Sequence, residues 1–95
     1  MIIVAGYLVV RPDRRQAMLE QHLEVVTAAR AAPGCFDFHL FADPVEPDRV
    51  NVFERWDTVG SVERFRGSGP SDVTREEILV ADVRQYDIAS STSLV

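Results

Sequence analysis

Residues Asn51 to Asp57 alternate apolar and polar side chains and contain the chain's only tryptophan, Trp56. Such alternation is typical of a β-strand that has one buried face. A second run of this kind, residues 35–41, precedes it across a turn that contains two prolines, residues 43–48. Most aromatic residues lie in these two runs or just after them. We therefore predict a β-hairpin and expect any binding pocket to be lined from it.

A symmetric turn would fix the register of this hairpin by three pairs: Leu40 with Asn51, Phe38 with Phe53, and Phe36 with Arg55. The other face of the hairpin would then carry bulky apolar groups beside charged ones, among them Val52 and Glu54. Such a face is too apolar for bulk water and too polar for an ordinary core. We expect it to form a dimer interface or to line a solvated cavity.

The segments before the hairpin predict a strand and a long helix. Residues 2–10 are apolar on both faces and rich in β-branched side chains, as in a strand at the middle of a sheet. Residues 14–32 repeat apolar side chains at helical spacing, in a stripe that includes Leu19, Leu23, Val26 and Ala29. Asp13 and Gln16 resemble a capping box at the start of this helix. Pro33-Gly34 would end it.

The segments after the hairpin predict short helices and a last strand. Asp57 or Thr58 would cap a helix that runs through Phe65, and residues 67–71 would form a flexible loop after it. Residues 72–80 predict a weaker helix. Residues 81–89 predict the last strand, and residues 90–95 a flexible tail.

The predicted order is strand, long helix, strand, strand, short helices, strand. This is the order of a ferredoxin-like, split βαβ fold of the α+β class, with helices on one face of an antiparallel sheet. A chain of 95 residues has the length of a single domain. We therefore expect one domain over residues 1–95.

Charge and composition argue against several classes of binding partner and of chemistry. The net charge of −5 argues against nucleic acid and anionic membrane surfaces, because their phosphates require a basic face. The sequence contains no lysine, so Schiff-base chemistry and a Walker-type phosphate loop are excluded. A single cysteine, Cys35, permits no internal disulfide and is compatible with a reducing cytoplasm. We expect a cytoplasmic protein without a membrane span or a signal peptide.

The Phe53-Glu54-Arg55-Trp56 strand is followed by an acidic turn, a helix and a Gly/Ser loop. In this pattern the sequence resembles the antibiotic biosynthesis monooxygenase domain. The Arg30–Cys35 helix exit and the Asp43-Pro44 turn add to it, and the resemblance extends from Ile3 to Ala89. It implies subunits that pair into a dimeric α+β barrel. The best-known members oxidise polycyclic phenols to quinones with molecular oxygen and without metal or flavin, whereas others degrade haem or act on quinols.

The chain departs from the family pattern at two places. Members often carry a histidine in the helix after the tryptophan, where this chain has Phe65 and Arg66. Phenylalanine cannot supply an axial ligand, so haem degradation is not expected. The phenol-oxidising members use an asparagine in the first strand, where this chain has Ala5-Gly6-Tyr7. Its only asparagine is Asn51.

Three residues are candidates for catalysis. Trp56 would stack on an aromatic ligand, or alternatively would only fill the core at a strand end. Asn51 would hold a phenol or carbonyl oxygen, or alternatively would be an ordinary strand-edge residue. His22, one of two histidines with His39, would accept a phenol proton, or alternatively would be a buried or interface histidine.

The candidates for substrate binding are Phe53, Phe65, Tyr7, Tyr86 and Arg66. Phe53 and Phe65 would be walls of the pocket. The two tyrosines would orient a ligand or simply fill the sheet. We expect Glu54 to form a structural ion pair with an arginine, for which the partner subunit's Arg55 and the partner subunit's Arg84 are candidates.

The leading hypothesis is a cofactor-independent monooxygenase that acts as a homodimer on an aromatic or polycyclic phenol. It would need no cofactor or metal, with molecular oxygen as co-substrate. One alternative is a non-catalytic, ligand-binding or stress-associated dimer on the same fold. Another is an isomerase or cyclase that transfers protons on a similar substrate.

Overall fold

The computed structural model of the protein describes residues 1–68 and 75–95. It contains a four-stranded antiparallel sheet and three α-helices, which confirms the predicted ferredoxin-like α+β fold. The strands are β1 (Ile2–Val10), β2 (Cys35–Ala42), β3 (Arg49–Trp56) and β4 (Ile78–Asp87), in the spatial order β2-β3-β1-β4. The helices are α1 (Arg15–Gln21), α2 (Leu23–Ala31) and α3 (Val59–Ser68), and 3-10 turns lie at Pro12–Arg14 and Arg75–Glu77.

The predicted long helix is broken at His22 into α1 and α2. The His22 imidazole lies 2.8 Å from the Met18 carbonyl oxygen through Nδ1, and its backbone leaves the helical region. Because the helical phase does not continue through this residue, the predicted apolar stripe is wrong at Leu23, which is 62% exposed. Met18 and Ala29 are the buried residues of the two helices.

The predicted capping box at the start of α1 is wrong. Neither the 3-10 turn nor α1 has a side-chain hydrogen bond at its first residues. Asp13 instead pairs with Arg11 at 2.8 Å, because the arginine guanidinium is the stronger partner for its carboxylate.

Gly34 follows α2 and brings the chain against the start of α3. Its φ of +87° lies in the left-handed region, and a Cβ here would meet Ser61 Oγ at 2.3 Å. Its carbonyl oxygen accepts a hydrogen bond of 2.9 Å from the Asp57 N–H. The cap of α3 is as predicted, because Thr58 Oγ1 accepts a hydrogen bond from the Ser61 N–H.

The predicted register of the β2–β3 hairpin is wrong by one residue. Phe38 pairs with Glu54 and Leu40 with Val52. The cause lies in the connecting loop, where the Asp43 carboxylate accepts hydrogen bonds from the backbone N–H groups of residues 45 and 46. Since side chains alternate between faces, a slip of one residue moves every side chain of one strand to the other face.

The sheet has a face covered by helices and an opposite face, here called the open face. The covered face holds the buried core: Ile2, Val4, Val10, Phe38, Val50, Val52 and Trp56 from the strands, with Met18, Ala29 and Val62 from the helices. Glu54 also lies on this face, so its predicted place on a face shared between subunits is wrong. The strand register places on the open face Ile3, Ala5, Tyr7, Val9, Asp37, His39, Phe41, Arg49, Asn51, Phe53, Arg55, Val80, Asp82, Arg84 and Tyr86.

The open face is exposed or half-buried in the single chain. Its apolar members include Phe41 and Tyr86, each 47% exposed, and Val80, 51% exposed. The first strand, β1, lies between β3 and β4, as its apolar sequence predicts.

The C-terminal part of the chain differs from its prediction. Ile78, Leu79 and Val80 belong to β4, so the helix predicted over residues 72–80 is wrong at its end. Residues 72–74 of that helix lie outside the described residues, as do residues 69–71 of the predicted loop. Gly67 and Ser68 are the last residues of α3, so the predicted loop is wrong at its first two residues. Within the described parts of the chain, no helix is long and apolar enough to cross a membrane.

Candidate functional site

Three aromatic rings meet on the covered face of the sheet, where α3 packs on β2 and β3. The ring of Phe65 lies 5.6 Å from that of Trp56 and 6.0 Å from that of Phe38, measured between centroids. The Phe38–Phe65 pair has an edge-to-face geometry, which is favourable for aromatic rings. These three residues are called the aromatic cluster below.

A buried carboxylate lies beside the aromatic cluster. Glu54 is 4% exposed, and its Oε1 accepts a hydrogen bond of 2.9 Å from the Trp56 indole N–H. Its other oxygen lies 3.6 Å from an Arg66 guanidinium nitrogen. A buried carboxylate requires such partners, because desolvation otherwise disfavours its charge.

Glu54 pairs with an arginine, as predicted, but this arginine is Arg66 of the same chain and not the expected Arg55 or Arg84. Arg55 instead pairs with Asp37, and Arg84 with Asp82. The alternation of side chains along a strand explains this difference. It places Arg55 and Arg84 on the open face, away from Glu54.

Phe65 and Arg66 differ from Trp56 in their access to solvent. Trp56 is fully buried, Phe65 is half-buried, and the Arg66 side chain is 55% exposed. A ligand that approaches from solvent would meet Phe65 and Arg66 first. Trp56 and Glu54 lie behind them.

His22 lies at the junction of α1 and α2. It is 9% exposed, and its Nδ1 is engaged with the Met18 carbonyl oxygen at 2.8 Å. Because that oxygen accepts, Nδ1 carries a proton in this geometry and only Nε2 remains for accepting another.

Asn51 lies on the open face and is tied to the hairpin loop. Its amide nitrogen donates a hydrogen bond of 2.9 Å to Asp43 Oδ1. Hydrogen bonds from the Glu46 backbone, the Asn51 side chain and the Val45 backbone lower the pKa of Asp43 to about 2. Arg15 holds the same loop from α1, with its guanidinium 2.9 Å from the Glu46 carbonyl oxygen. This network explains Asn51 as a part of the loop structure.

Tyr7, Phe53 and Tyr86 also lie on the open face. The adjacency predicted for the two tyrosine strands is confirmed, since β1 pairs with β4. The Arg49 guanidinium stacks over the Tyr7 ring at 3.9 Å, a cation–π contact. The His39 and Phe53 rings lie 6.4 Å apart.

The structure thus divides seven of the eight candidates between the two faces of the sheet. Trp56, Phe65 and Arg66 come together on the covered face around Glu54. Tyr7, Asn51, Phe53 and Tyr86 lie on the open face, and His22 lies at the helix junction. Their roles in catalysis and binding stay predictions.

The sequence did not lead us to place Glu54 beside Trp56, Phe65 and Arg66. A signal for it was present, because residues two apart on a strand share a face and Glu54 precedes Trp56 by two. Phe38 was assigned to the other face through the wrong register.

Two other features of the described residues are the thiol of Cys35 and a small cavity near the first 3-10 turn. Burial raises the pKa of the half-buried Cys35 thiol, with Glu54 and Asp37 adding to this effect, so its thiolate is disfavoured. A cavity of about 150 Å³ is lined by Arg11, Arg14, Glu76, Glu77 and Leu79, and a 2.8 Å ion pair joins Arg14 to Glu77 beside it. The described residues contain no group of side chains with the composition of a metal site.

The family model named antibiotic biosynthesis monooxygenase matches residues 1–77. The chain belongs to this family. A Synechocystis protein without an assigned function is 29% identical over 55 residues, which are 58% of this chain and 37% of that protein. This family member therefore spans little more than a third of the length of that relative.

Solved structures share the fold of this family member. A candidate antibiotic biosynthesis monooxygenase from Nitrosomonas europaea has a TM-score of 0.83 at 16% identity, over 95% of this chain and all of that one. A Mycobacterium tuberculosis protein has a TM-score of 0.72 at 23% identity, over 99% and 98% of the two chains. A haem degrader from the same organism, solved with two haems in its active site, has a TM-score of 0.69 at 11% identity, over 98% and 100%.

Proposed function

We propose that this protein is a cofactor-independent monooxygenase that oxidises an aromatic, phenol-bearing metabolite with molecular oxygen. The observation that carries the proposal is the aromatic cluster beside the Glu54–Arg66 ion pair, in a member of the antibiotic biosynthesis monooxygenase family. Half-buried Phe65 offers an apolar surface to an aromatic ring. Arg66 offers donors to its oxygen.

The reaction balances without an external reductant. A ring methylene of the substrate is converted to a carbonyl, so that CH2 and O2 give C=O and H2O. The substrate supplies all four electrons, one oxygen atom enters the product, and the other leaves as water. The protein would contribute orientation and stabilisation of the developing oxyanion.

Each residue of the covered-face group would have a different task. Phe65 would contact the substrate ring, and Arg66 would hold its oxygen. Trp56, which is fully buried, would act as a positioning residue by fixing Glu54 through its indole N–H. Glu54 would in turn orient Arg66.

We also propose that two copies pair through the open face into a homodimer. Exposed Phe41 on β2 and exposed Val80 and Tyr86 on β4 lie at the two edges of that face, with half-buried Phe53 and Tyr7 on the strands between them. Apolar groups at such a site gain by removal from water. In this assembly Tyr7, Phe53 and Tyr86 would serve the interface.

A second candidate function is that of a non-catalytic dimer that binds a small aromatic ligand. One observation favours it. Asn51, the only asparagine of the chain, donates its amide to Asp43 in the hairpin loop and lies on the open face, on the opposite side of the sheet from the aromatic cluster.

Oxygen uptake by chelator-treated protein tests the proposal, with a panel of anthrone- and naphthol-type phenols. The informative variant is Phe65→Leu, and the matched control is Phe36→Leu, which changes an exposed phenylalanine of β2. We expect uptake by the wild type and the control, and a loss of about tenfold or more in kcat/KM in Phe65→Leu. Binding without uptake across the panel would favour the second candidate function instead.

A further inference from the structure

The Arg66 guanidinium is held on one side and open on the other. Glu54, whose side chain is 5% exposed, lies 3.6 Å from it, whereas the Arg66 side chain is 55% exposed. Glu54 is the one partner that the described residues give to Arg66. Since a guanidinium has five N–H donors in a fixed plane, a single carboxylate leaves donors that face solvent.

Arg66 is linked to the aromatic cluster through the carboxylate of Glu54. Its neighbour in sequence, Phe65, packs its ring 5.6 Å from the Trp56 ring, and the Trp56 N–H binds the same carboxylate that holds Arg66. A cation with open donors is therefore joined, through one carboxylate, to the aromatic cluster, whose Phe65 is half-buried. Such a pairing suits a flat ring that carries a negatively charged oxygen.

We infer that Arg66 binds its ligand as an aromatic anion, a ring that bears a carboxylate or a phenolate, and that Glu54 fixes the guanidinium for this contact. This inference rests on the proposed function and names the ionisation state of its substrate. A bound phenolate gives an electron to oxygen more readily than the neutral phenol. The contact with Arg66 would thus prepare the substrate for oxidation.

Glu54 has two opposite effects in this arrangement. Its hydrogen bond and ion pair hold the guanidinium in place, but its own charge repels an incoming anion. Glu54→Gln keeps an oxygen that accepts from Trp56 and removes the repulsion. The inference therefore predicts that this variant binds anions more tightly, a result that a purely structural salt bridge would not produce.

The test is a fluorescence titration of Trp56, the only tryptophan, in the absence of oxygen. The probes are two matched pairs: 2-naphthoate with 2-naphthamide, and a nitronaphthol ionised at neutral pH with its methyl ether. We expect the wild type to prefer the anion of at least one pair by about 10- to 100-fold, as for a hydrogen bond to a charged group. The pair that shows the preference identifies carboxylate or phenolate as the ligand chemistry.

Three variants assign the preference to Arg66. Arg66→Gln should abolish it, and Glu54→Gln should tighten anion binding by roughly three- to tenfold. Arg64→Gln removes the same charge from the same helix and should leave the preference unchanged. If Arg66→Gln does not fold because Glu54 is left with its charge buried, the double variant Glu54→Gln/Arg66→Gln replaces it and should likewise show no preference.

Equal affinity of the wild type for both members of each pair would overturn the inference, as would a preference that survives in the Arg66 variants. Its failure is distinct from that of the proposed function. Oxygen uptake without any anion preference would reject the anion site alone. An anion preference without uptake would support the anion site and reject the oxygenase.

Discussion

The Trp56 indole N–H donates a hydrogen bond of 2.9 Å to the carboxylate of Glu54, two residues earlier on the same strand. Both side chains lie on the helix-covered face of the sheet, and both are buried. The same carboxylate reaches Arg66 near the end of α3. Glu54 thus links the buried Trp56 to the partly exposed guanidinium of Arg66.

This link predicts different costs for two substitutions. Trp56→Phe removes the donor from a buried carboxylate and leaves a small cavity, so it should lower the free energy of unfolding by about 2–4 kcal/mol. Glu54→Gln keeps an acceptor for the indole and should cost about 1 kcal/mol or less. Urea denaturation followed by circular dichroism measures both. Equal losses in the two variants would contradict this difference.

The close approach of β1 and β4 at Gly6 predicts that a side chain at this position lowers stability. A Cβ at this residue would meet the Asp82 carbonyl oxygen at 1.9 Å, and the φ of +152° is unfavourable for other residues. Gly6→Ala should therefore lower stability by more than about 1 kcal/mol, because backbone must move. Gly67→Ala is the control, since nothing lies within 4 Å of its Cβ and alanine favours the helix. Thermal unfolding of the two variants should shift in opposite directions, and a shared direction would contradict the structure.

The lowered pKa of Asp43 predicts that the protein loses stability in acid. Its pKa is lowered from 3.8 to about 2 in the folded chain, chiefly by the hydrogen bond from the Glu46 backbone. Because the pKa of Asp43 is lower in the folded state, the unfolded state binds this proton first as the pH falls. The contribution of ionised Asp43 to the free energy of unfolding is therefore complete above pH 3.8 and is lost as the pH falls towards 2. Urea midpoints measured through this range should fall less steeply in Asp43→Asn than in the wild type. Parallel curves for the two proteins would contradict this role of Asp43.

The proposed homodimer predicts the effect of a charge on the open face. Phe53→Asp places a carboxylate at the middle of that face and should convert the dimer to a monomer, because the charge would be buried without a partner. Thr27→Asp, on the exposed side of α2, is the control and should remain dimeric. Sedimentation velocity measures both, with circular dichroism to confirm folding. A monomeric wild type, or a dimeric Phe53→Asp, would count against the open face as the interface.

The order of elements could be predicted from the sequence because each is marked by its own periodicity. The apolar run of residues 2–10, the stop at Pro33-Gly34 and the cap at Thr58 all act over a few residues. The register of the hairpin could not be predicted in this way. It depends on the Asp43 carboxylate, which binds two backbone N–H groups of the loop and so shifts the pairing by one residue.

The same limit applies to the candidate site. Trp56, Phe65 and Arg66 were identified individually, and the structure brings them together. The residues that it separates from them, such as Asn51 and Phe53, were grouped with them because they share one strand. Alternation sends neighbouring residues of a strand to opposite faces, so nearness in sequence did not mean nearness in the site. The break at His22 was also missed, because an imidazole bond to the backbone leaves no trace in hydrophobic spacing.

The most direct test of the proposed monooxygenase is the fate of labelled oxygen. Metal-free protein would be supplied with 18O2 and an anthrone-type phenol, and the product would be analysed by mass spectrometry under conditions that limit carbonyl exchange with water. We predict one labelled oxygen atom in the quinone product and a rate that depends on the protein. A product with no label, or one that forms as fast without the protein, would contradict the proposed function.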